Sequence, residues 1–450
     1  MMDSDGENMA KIVIVYEHKT REMNTVLMLS HELRRRNHDV SIFQINDLNR
    51  FRYLRKKIDL IVTPFLYSDH EIEMLMSIFG RVNRICNLQW EQVYNGTVGD
   101  DYKRTPKGNA KYATHICWGV ESYNRLVKNG CLKAVLTGAP QMDFLQKSFS
   151  NYFLDKDSLY DKYEVKKSNK SLLFVSSFSY IGLSNERLEA IKSLVDFDPY
   201  YFRDLSEKSR DNILCWFERL LNECKDINII YRPHPGEVFD SKMECLCKKY
   251  ENLYFIGSET VLQWIVRCDV VLNWYSTSGV EAFFANKDNI FLRPVDFPDG
   301  LDYEMFDRVC IAKTYDEFKN YIFNDKFVFE HYSKYPLKEK IEPYYLTDNT
   351  LSFKKIADTI EDLLNDEEDN RISSLYHSRW RVCEYFKCFI KLLIYRSWKH
   401  SNLITNIIEK RIDKLQKFID SYSKSEMEII NADEQREFEN KIQCINKLEF

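Results

Sequence analysis

The apolar positions of this chain fall into short β-branched runs separated by stretches of helical spacing. Lys11–Tyr16 (KIVIVY) is the first such run. A segment that is apolar at nearly every position reads as a strand buried on both faces. A polar loop over 17–24 follows, and residues 25–36 carry apolar side chains at helical spacing. Residues 40–45 and 58–63 read as the second and third strands, and 84–88 and 134–137 as later ones. Strands alternating with helices predict a parallel, doubly wound sheet. This first domain is placed at residues 8–150.

A second series of strands begins at 171–175 (SLLFV) and continues at 227–231, 253–256, 270–272 and 289–292. Residues 216–223 and 261–268 have helical spacing between them. The polar, aromatic stretch 151–169 lacks periodicity and reads as a linker. The pattern predicts two tandem Rossmann-like domains, the second at residues 165–365. It closes with a periodic segment, 351–364, expected to cross back over the domains. After an acidic break at 365–370, residues 371–450 read as a helical extension.

Composition narrows the function. The chain has 450 residues, 44% hydrophobic, with a formal net charge of -5. A sizeable core is therefore expected, and no global basic field points to nucleic acid. Only 13 residues are glycine, so a glycine-rich phosphate loop is not the expected binding device. The 12 cysteines are scattered without a Cys-x-x-Cys pair, which suits free thiols in a reducing cytosol. The polar first ten residues lack the pattern of a secretory signal. No apolar run reaches the roughly 18 residues of a membrane span. A cytoplasmic location is the expectation.

The stretch Ile229-Ile230-Tyr231-Arg232-Pro233-His234-Pro235-Gly236-Glu237 carries the sharpest chemistry. Proline has no backbone donor, so the apolar strand must end there. Arg232 and His234 are left at the carboxyl end of a strand, where open α/β sheets bind ligands. An arginine fork beside an imidazole suits phosphate. A turn with no ligand is the bland alternative. The second constellation, Ser276-Thr277-Ser278-Gly279-Val280-Glu281, follows the run at 270–272. Hydroxyl residues before a helix place backbone N–H groups at a natural phosphate site. Glu281 reads either as a carboxylate for ribose hydroxyls or as half of a capping box with Ser278. Ser176 and Ser177, after the strand at 171–175, line a cleft or form a plain turn. In the first domain, Glu91 and Asp101 are the candidate general bases, with Glu17 and His18 behind them. Each also reads as a solvated or capping group. Asp143, in Thr137-Gly138-Ala139-Pro140-Gln141-Met142-Asp143, is read as structural. The nine histidines are dispersed, so neither a metal nor another cofactor is expected.

Two tandem α/β domains, Arg232-Pro233-His234-Pro235, and the Ser276–Glu281 loop resemble the GT-B glycosyltransferases of bacterial surface polysaccharide synthesis. The Arg-Pro-His-Pro run resembles the His-Pro motif of bacterial sialyltransferases, polysialyltransferases and Kdo transferases. It is also similar to that of teichoic-acid glycerophosphotransferases. The resemblance covers residues 10–300. It implies a GT-B-like α/β fold, two domains facing across a cleft, plus the C-terminal helical extension. It further implies a nucleotide-sugar donor held by Arg232, His234, Ser276, Thr277, Ser278 and Glu281, with Ser176 and Ser177 beside them. A glycan or lipid-linked acceptor would be deprotonated from the first domain. The acidic-acidic-glycine motif of the sialyltransferases is absent: Gly99-Asp100-Asp101 has its glycine on the wrong side.

Residues 376–399 are basic and aromatic, with Tyr385, Phe386, Phe389 and Leu393 expected on one face. Such a helix either lies at the inner face of the cell membrane or packs on protein. Two other functions fit the pattern: a nucleotide-sugar 2-epimerase, and a non-catalytic nucleotide- or glycan-binding subunit of a polysaccharide assembly.

Overall fold

The computed structural model describes residues 9–53, 56–94, 104–192, 195, 197–298, 300–348, 350–366, 370–400 and 413–449. The chain divides into two compact units. The first comprises residues 1–92, 104–143 and 345–444, and the second 93–103, 144–344 and 445–450.

The first unit is built on β1 (Lys11–Tyr16), β2 (Asp39–Gln44), β3 (Leu60–Thr63), β4 (Ile85–Asn87), β5 (Thr114–Cys117) and β6 (Lys133–Leu136). They form one parallel sheet in the order β2-β1-β3-β4-β5-β6. Val13, Val15, Phe43, Ile61 and Ile85 point into a core shared with Ile72, Leu75 and Phe79 of the helix Asp69–Phe79. β5 has no counterpart among the strands expected from periodicity, because His115 breaks the apolar run. The ring is buried and satisfied: Nδ1 is 3.1 Å from Asn87 Nδ2, and Nε2 is 2.9 Å from Ala110 O. Burial lowers its pKa to about 4, so the imidazole sits in the core neutral.

The helix Ser352–Asn365, expected with the second domain, packs on the first. Arg36 Nη1 pairs with Asp358 and Glu361, each at 2.6 Å. Asp143 accepts the N–H groups of Ser352 and Phe353 at 3.0 and 2.9 Å, capping that helix from far away in sequence. Asp143 is structural in this geometry. The helical extension also belongs to the first unit: Cys388 and Tyr395 share a core with Leu48, Ile419 and Tyr422.

The second unit holds β7 (Lys170–Val175), β8 (Ile227–Arg232), β9 (Leu253–Phe255), β10 (Val270–Asn273), β11 (Asp288–Leu292) and β12 (Cys310–Ala312). Its parallel order is β12-β11-β10-β7-β8-β9. The longest helix of the unit, Pro199–Glu223, extends far ahead of the expected 216–223. Asp198 accepts from Tyr200 N at 3.0 Å and Pro199 opens the first turn, a start signal that the aromatic sequence around it hides. Two parallel α/β sheets, one per unit, make the fold.

Candidate functional site

Strand order in the second unit reverses between β7 and β10. The crevice at the carboxyl ends of such a pair is where an open α/β sheet takes its ligand. Ser176 and Ser177 follow β7, the His234 turn follows β8, and Ser276–Glu281 follow β10, so these candidates surround one switch point. Ser177 Oγ accepts from Tyr275 N at 3.2 Å, joining the β7 and β10 loops directly.

The β8 turn is braced by a residue that the sequence reading passed over. The Glu237 side chain is 4% exposed. It accepts from the Tyr231 hydroxyl at 2.5 Å and from Ser176 Oγ, and Arg210 Nε lies 3.5 Å away. Arg210 in turn donates to Asp240 at 2.6 Å. A buried carboxylate with this many partners fixes the geometry of the turn. The sequence signal was present: an acid three residues after His234, beyond a strand whose buried run Ile229-Ile230 ends in a tyrosine. Ser176 is consumed by this brace.

The His234 ring itself is exposed. Gly236 N donates to its Nδ1 at 3.1 Å, so the neutral tautomer carries its proton on Nε2. Surrounding protein lowers its pKa by desolvation, with Glu237 working against the shift. At neutral pH the side chain presents an uncharged N–H donor.

Arg232 departs from expectation. It is 8% exposed, and its fork donates to Ser258 O at 2.8 Å and Glu259 O at 2.6 Å. Burial lowers its pKa to about 10. The guanidinium thus holds the β9 loop, where Trp264 Nε1 also donates to Ser258 O at 3.1 Å. A strand-end arginine is ambiguous in sequence, because backbone carbonyls accept the same fork that phosphate would.

The β10 loop is a second clasp. Asn273 donates to Asn289 Oδ1 at 2.6 Å and accepts from Ser278 Oγ at 2.9 Å. Ser276 Oγ lies 2.8 Å from Ser278 Oγ and accepts Ser278 N at 3.2 Å. Gly279 N donates to Ser276 O at 3.3 Å. The first amides of the helix Ser278–Phe284 are therefore satisfied within the loop, and the expected row of open N–H groups is reduced. Thr277, at the N-cap, is exposed and makes no capping bond. A Cβ on Gly279 would sit 3.0 Å from Asn289, Phe291 and Phe306, so close packing on β11 requires glycine there.

Glu281 does not form the capping box. Its Oε2 is buried and finds no hydrogen-bond donor among the described residues. Burial pushes the carboxyl up to about 7. A buried carboxylate oxygen left without a donor beside the switch point is arranged for a partner that brings hydroxyl groups.

In the first unit, Glu91 follows β4 in the loop 88–94. It pairs with Arg104 at 2.5 Å and is half exposed. Asp101 lies outside the described residues. Glu17 is 3.8 Å from its neighbour His18. Their backbone amides donate to the buried Glu22, each at 3.1 Å. No group of three or more metal-ligating side chains occurs among the described residues.

No family model and no curated protein matches the sequence. Solved structures match the fold. The S. aureus MnaA–UDP co-structure superposes with a TM-score of 0.50 at 16% identity, covering 79% of this chain and 97% of that one. The wall teichoic acid polymerase TagF, in a variant soaked with CDPG, gives 0.52 at 11% identity, covering 79% and 88%. A second TagF variant also gives 0.52 at 11% identity, covering 79% and 89%. At these identities the likeness is one of fold, and the chain has the two-domain α/β architecture of the GT-B type.

Proposed function

We propose that the protein is a glycosyltransferase of GT-B type. It moves a sugar from a nucleotide-activated donor to a glycan acceptor, which is lipid-linked in the fullest form of this reading. The observation that carries the donor site is the buried, unsatisfied Oε2 of Glu281 beside the β7/β10 switch point, with the His234 Nε2–H on the neighbouring turn. Glu281 accepts from ribose hydroxyls. His234 donates to a phosphate oxygen, and Ser276 and Thr277 supply hydroxyls to the same group. Arg232 acts through the β9 loop as a positioning residue. That one fold neighbour carries UDP and another was soaked with CDPG supports a nucleotide here.

The chemistry is a direct displacement. The acceptor oxygen attacks the anomeric carbon, and the bond from that carbon to the phosphate oxygen breaks. The nucleotide leaves with the electron pair, its charge met by the His234 donor. The acceptor proton passes to a carboxylate, Glu91 of the first unit or Asp101. No metal takes part in this scheme.

A donor panel tests it. The protein is incubated with CMP-, CDP-, UDP- and GDP-activated donors and a glycan acceptor, and the released nucleotide is measured. One nucleotide should be released with acceptor present, and His234→Ala should abolish the release. Full transfer by His234→Ala with the matched donor would overturn the site. Interconversion of the free donor without acceptor would favour the epimerase reading instead.

A further inference from the structure

The helix Ser378–His400 has two apolar faces: one packs on described residues of the first unit, and the other keeps four large side chains exposed. Tyr385, 4% exposed, donates its hydroxyl to Ile78 O at 2.8 Å. Tyr395 and Cys388 lie on the same covered side. The sequence reading grouped Tyr385 with Phe386, and the structure separates them. Val382, Phe386, Ile390 and Leu393 are 42–68% exposed. At 3.6 residues per turn they fall within a sector of about 100° over three turns. Isolated surface hydrophobes need no explanation, but a contiguous stripe does.

The six cations of this helix differ in their partners, although all but Arg381 are exposed. On the covered side, Arg381 donates to Tyr53 O at 2.8 Å and Lys399 pairs with Glu426 at 2.8 Å. Lys391 Nζ lies 5.7 Å from the Phe418 ring. The one acid, Glu384, is taken by Arg50 at 2.7 Å. Arg379, Lys387 and Arg396 are exposed. Among the described residues these three have no carboxylate partner. Arg379 heads the bare stripe, and Lys387 and Arg396 flank it. Self-pairing through this face would gather the cations of both copies at one interface. A surface that is negative and apolar just beneath satisfies both parts at once.

We propose that this face lies in the surface of an anionic lipid bilayer, with the stripe below the headgroups and the three cations at phosphate level. No helix among the described residues is long and apolar enough to cross a membrane, so the contact is peripheral. It holds whether or not the donor assignment does.

The test is co-sedimentation of the full chain with phosphatidylglycerol–phosphatidylcholine vesicles and with phosphatidylcholine alone. Uptake should occur on the anionic vesicles, weaken with salt, and be lost in Phe386→Asp/Leu393→Asp. Each of Arg379→Gln, Lys387→Gln and Arg396→Gln should lower partitioning about fivefold, from roughly 1 kcal/mol per cation at such a surface. Circular dichroism and nucleotide binding check the fold. If the aspartate pair misfolds, the glutamine triple variant decides. Wild-type uptake that ignores lipid charge, or variants that bind like wild type, would overturn the proposal. So would absence of uptake with a dimer that Phe386→Asp/Leu393→Asp splits, which would make a second copy the occupant.

Discussion

The carboxyl ends of the two sheets are finished differently. In the first unit the chain covers its own β1 end. Tyr16 donates to Glu428 O at 2.9 Å and accepts from Ile430 N at 2.7 Å. Lys19 N, at the start of the 17-residue helix Lys19–Arg35, donates to Glu428 Oε2 at 2.6 Å. Lys19 Nζ pairs with Glu434 at 2.8 Å. A helix start that attracts anions is thus filled by an internal carboxylate. In the second unit the Glu281 Oε2 has no donor among the described residues, and His234 and Thr277 stay exposed. The helix start after β10 is satisfied within its own loop, so what the second unit leaves over is a carboxylate oxygen, an imidazole and a hydroxyl. Where the extension fills the β1 end of the first sheet, the switch point of the second is the better candidate site.

The largest expected effect strikes the brace of the second unit. Glu237→Ala leaves Arg210 buried beside an empty site and should cost about 3–5 kcal/mol in chemical denaturation. Glu237→Gln should recover part of that by keeping the Tyr231 contact. Next is His234→Ala, expected to lower kcat/KM at least about 100-fold, near 3 kcal/mol. Its melting temperature should stay within about 2 °C, because an exposed ring contributes little packing. A large drop in stability would recast His234 as part of the brace.

The third contrast is a pH dependence. Burial holds the Glu281 carboxyl near 7, above its ordinary 4.5. The folded protein therefore binds more protons than the unfolded chain between those values, and unliganded stability should fall as pH rises from about 4.5 to 7. Nucleotide-sugar affinity should move the other way, rising about tenfold from pH 6 to 8 as the carboxylate forms. Titration calorimetry on Glu281→Gln should show a flat affinity profile, while the stability profile keeps the share of Asp143, whose carboxyl burial also pushes up to about 7; an affinity profile unchanged by that variant removes Glu281 from the site. The smallest effect is Tyr16→Phe, about 1 kcal/mol from its two lost hydrogen bonds. It should leave nucleotide affinity alone, and a shift as large as that of Glu281→Gln would dissolve the contrast between the units.

Strands of nearly pure apolar composition, such as β1, β7 and β8, were legible because burial on both faces leaves a plain signal. β5 was not, since a satisfied core histidine looks polar in sequence. The turn after β8 was visible through its prolines, which fix where a strand ends. What Arg232 touches was not, because a fork fits carbonyls and phosphate alike. Glu237 escaped notice for a related reason: its partners Ser176 and Arg210 are distant in sequence, and its spacing from His234 was the one local mark. The bare and covered faces of the helix Ser378–His400 could not be told apart by periodicity, because both are apolar.

The pairing of Asp143 with the amides of Ser352 and Phe353 bears on how such a chain is put together. The polypeptide leaves the first unit just after Asp143 and is fastened again a few residues past its return at Tyr345. Tyr345 itself stacks on Trp118 of the first unit, 5.6 Å between ring centres. Exit and re-entry are stitched at one seam. Residues 144–344 are in this sense an insertion with closely spaced ends, the arrangement that lets one domain be spliced into another without tearing the host. The seam belongs wholly to the host, so sequence change in the inserted unit leaves the join itself untouched.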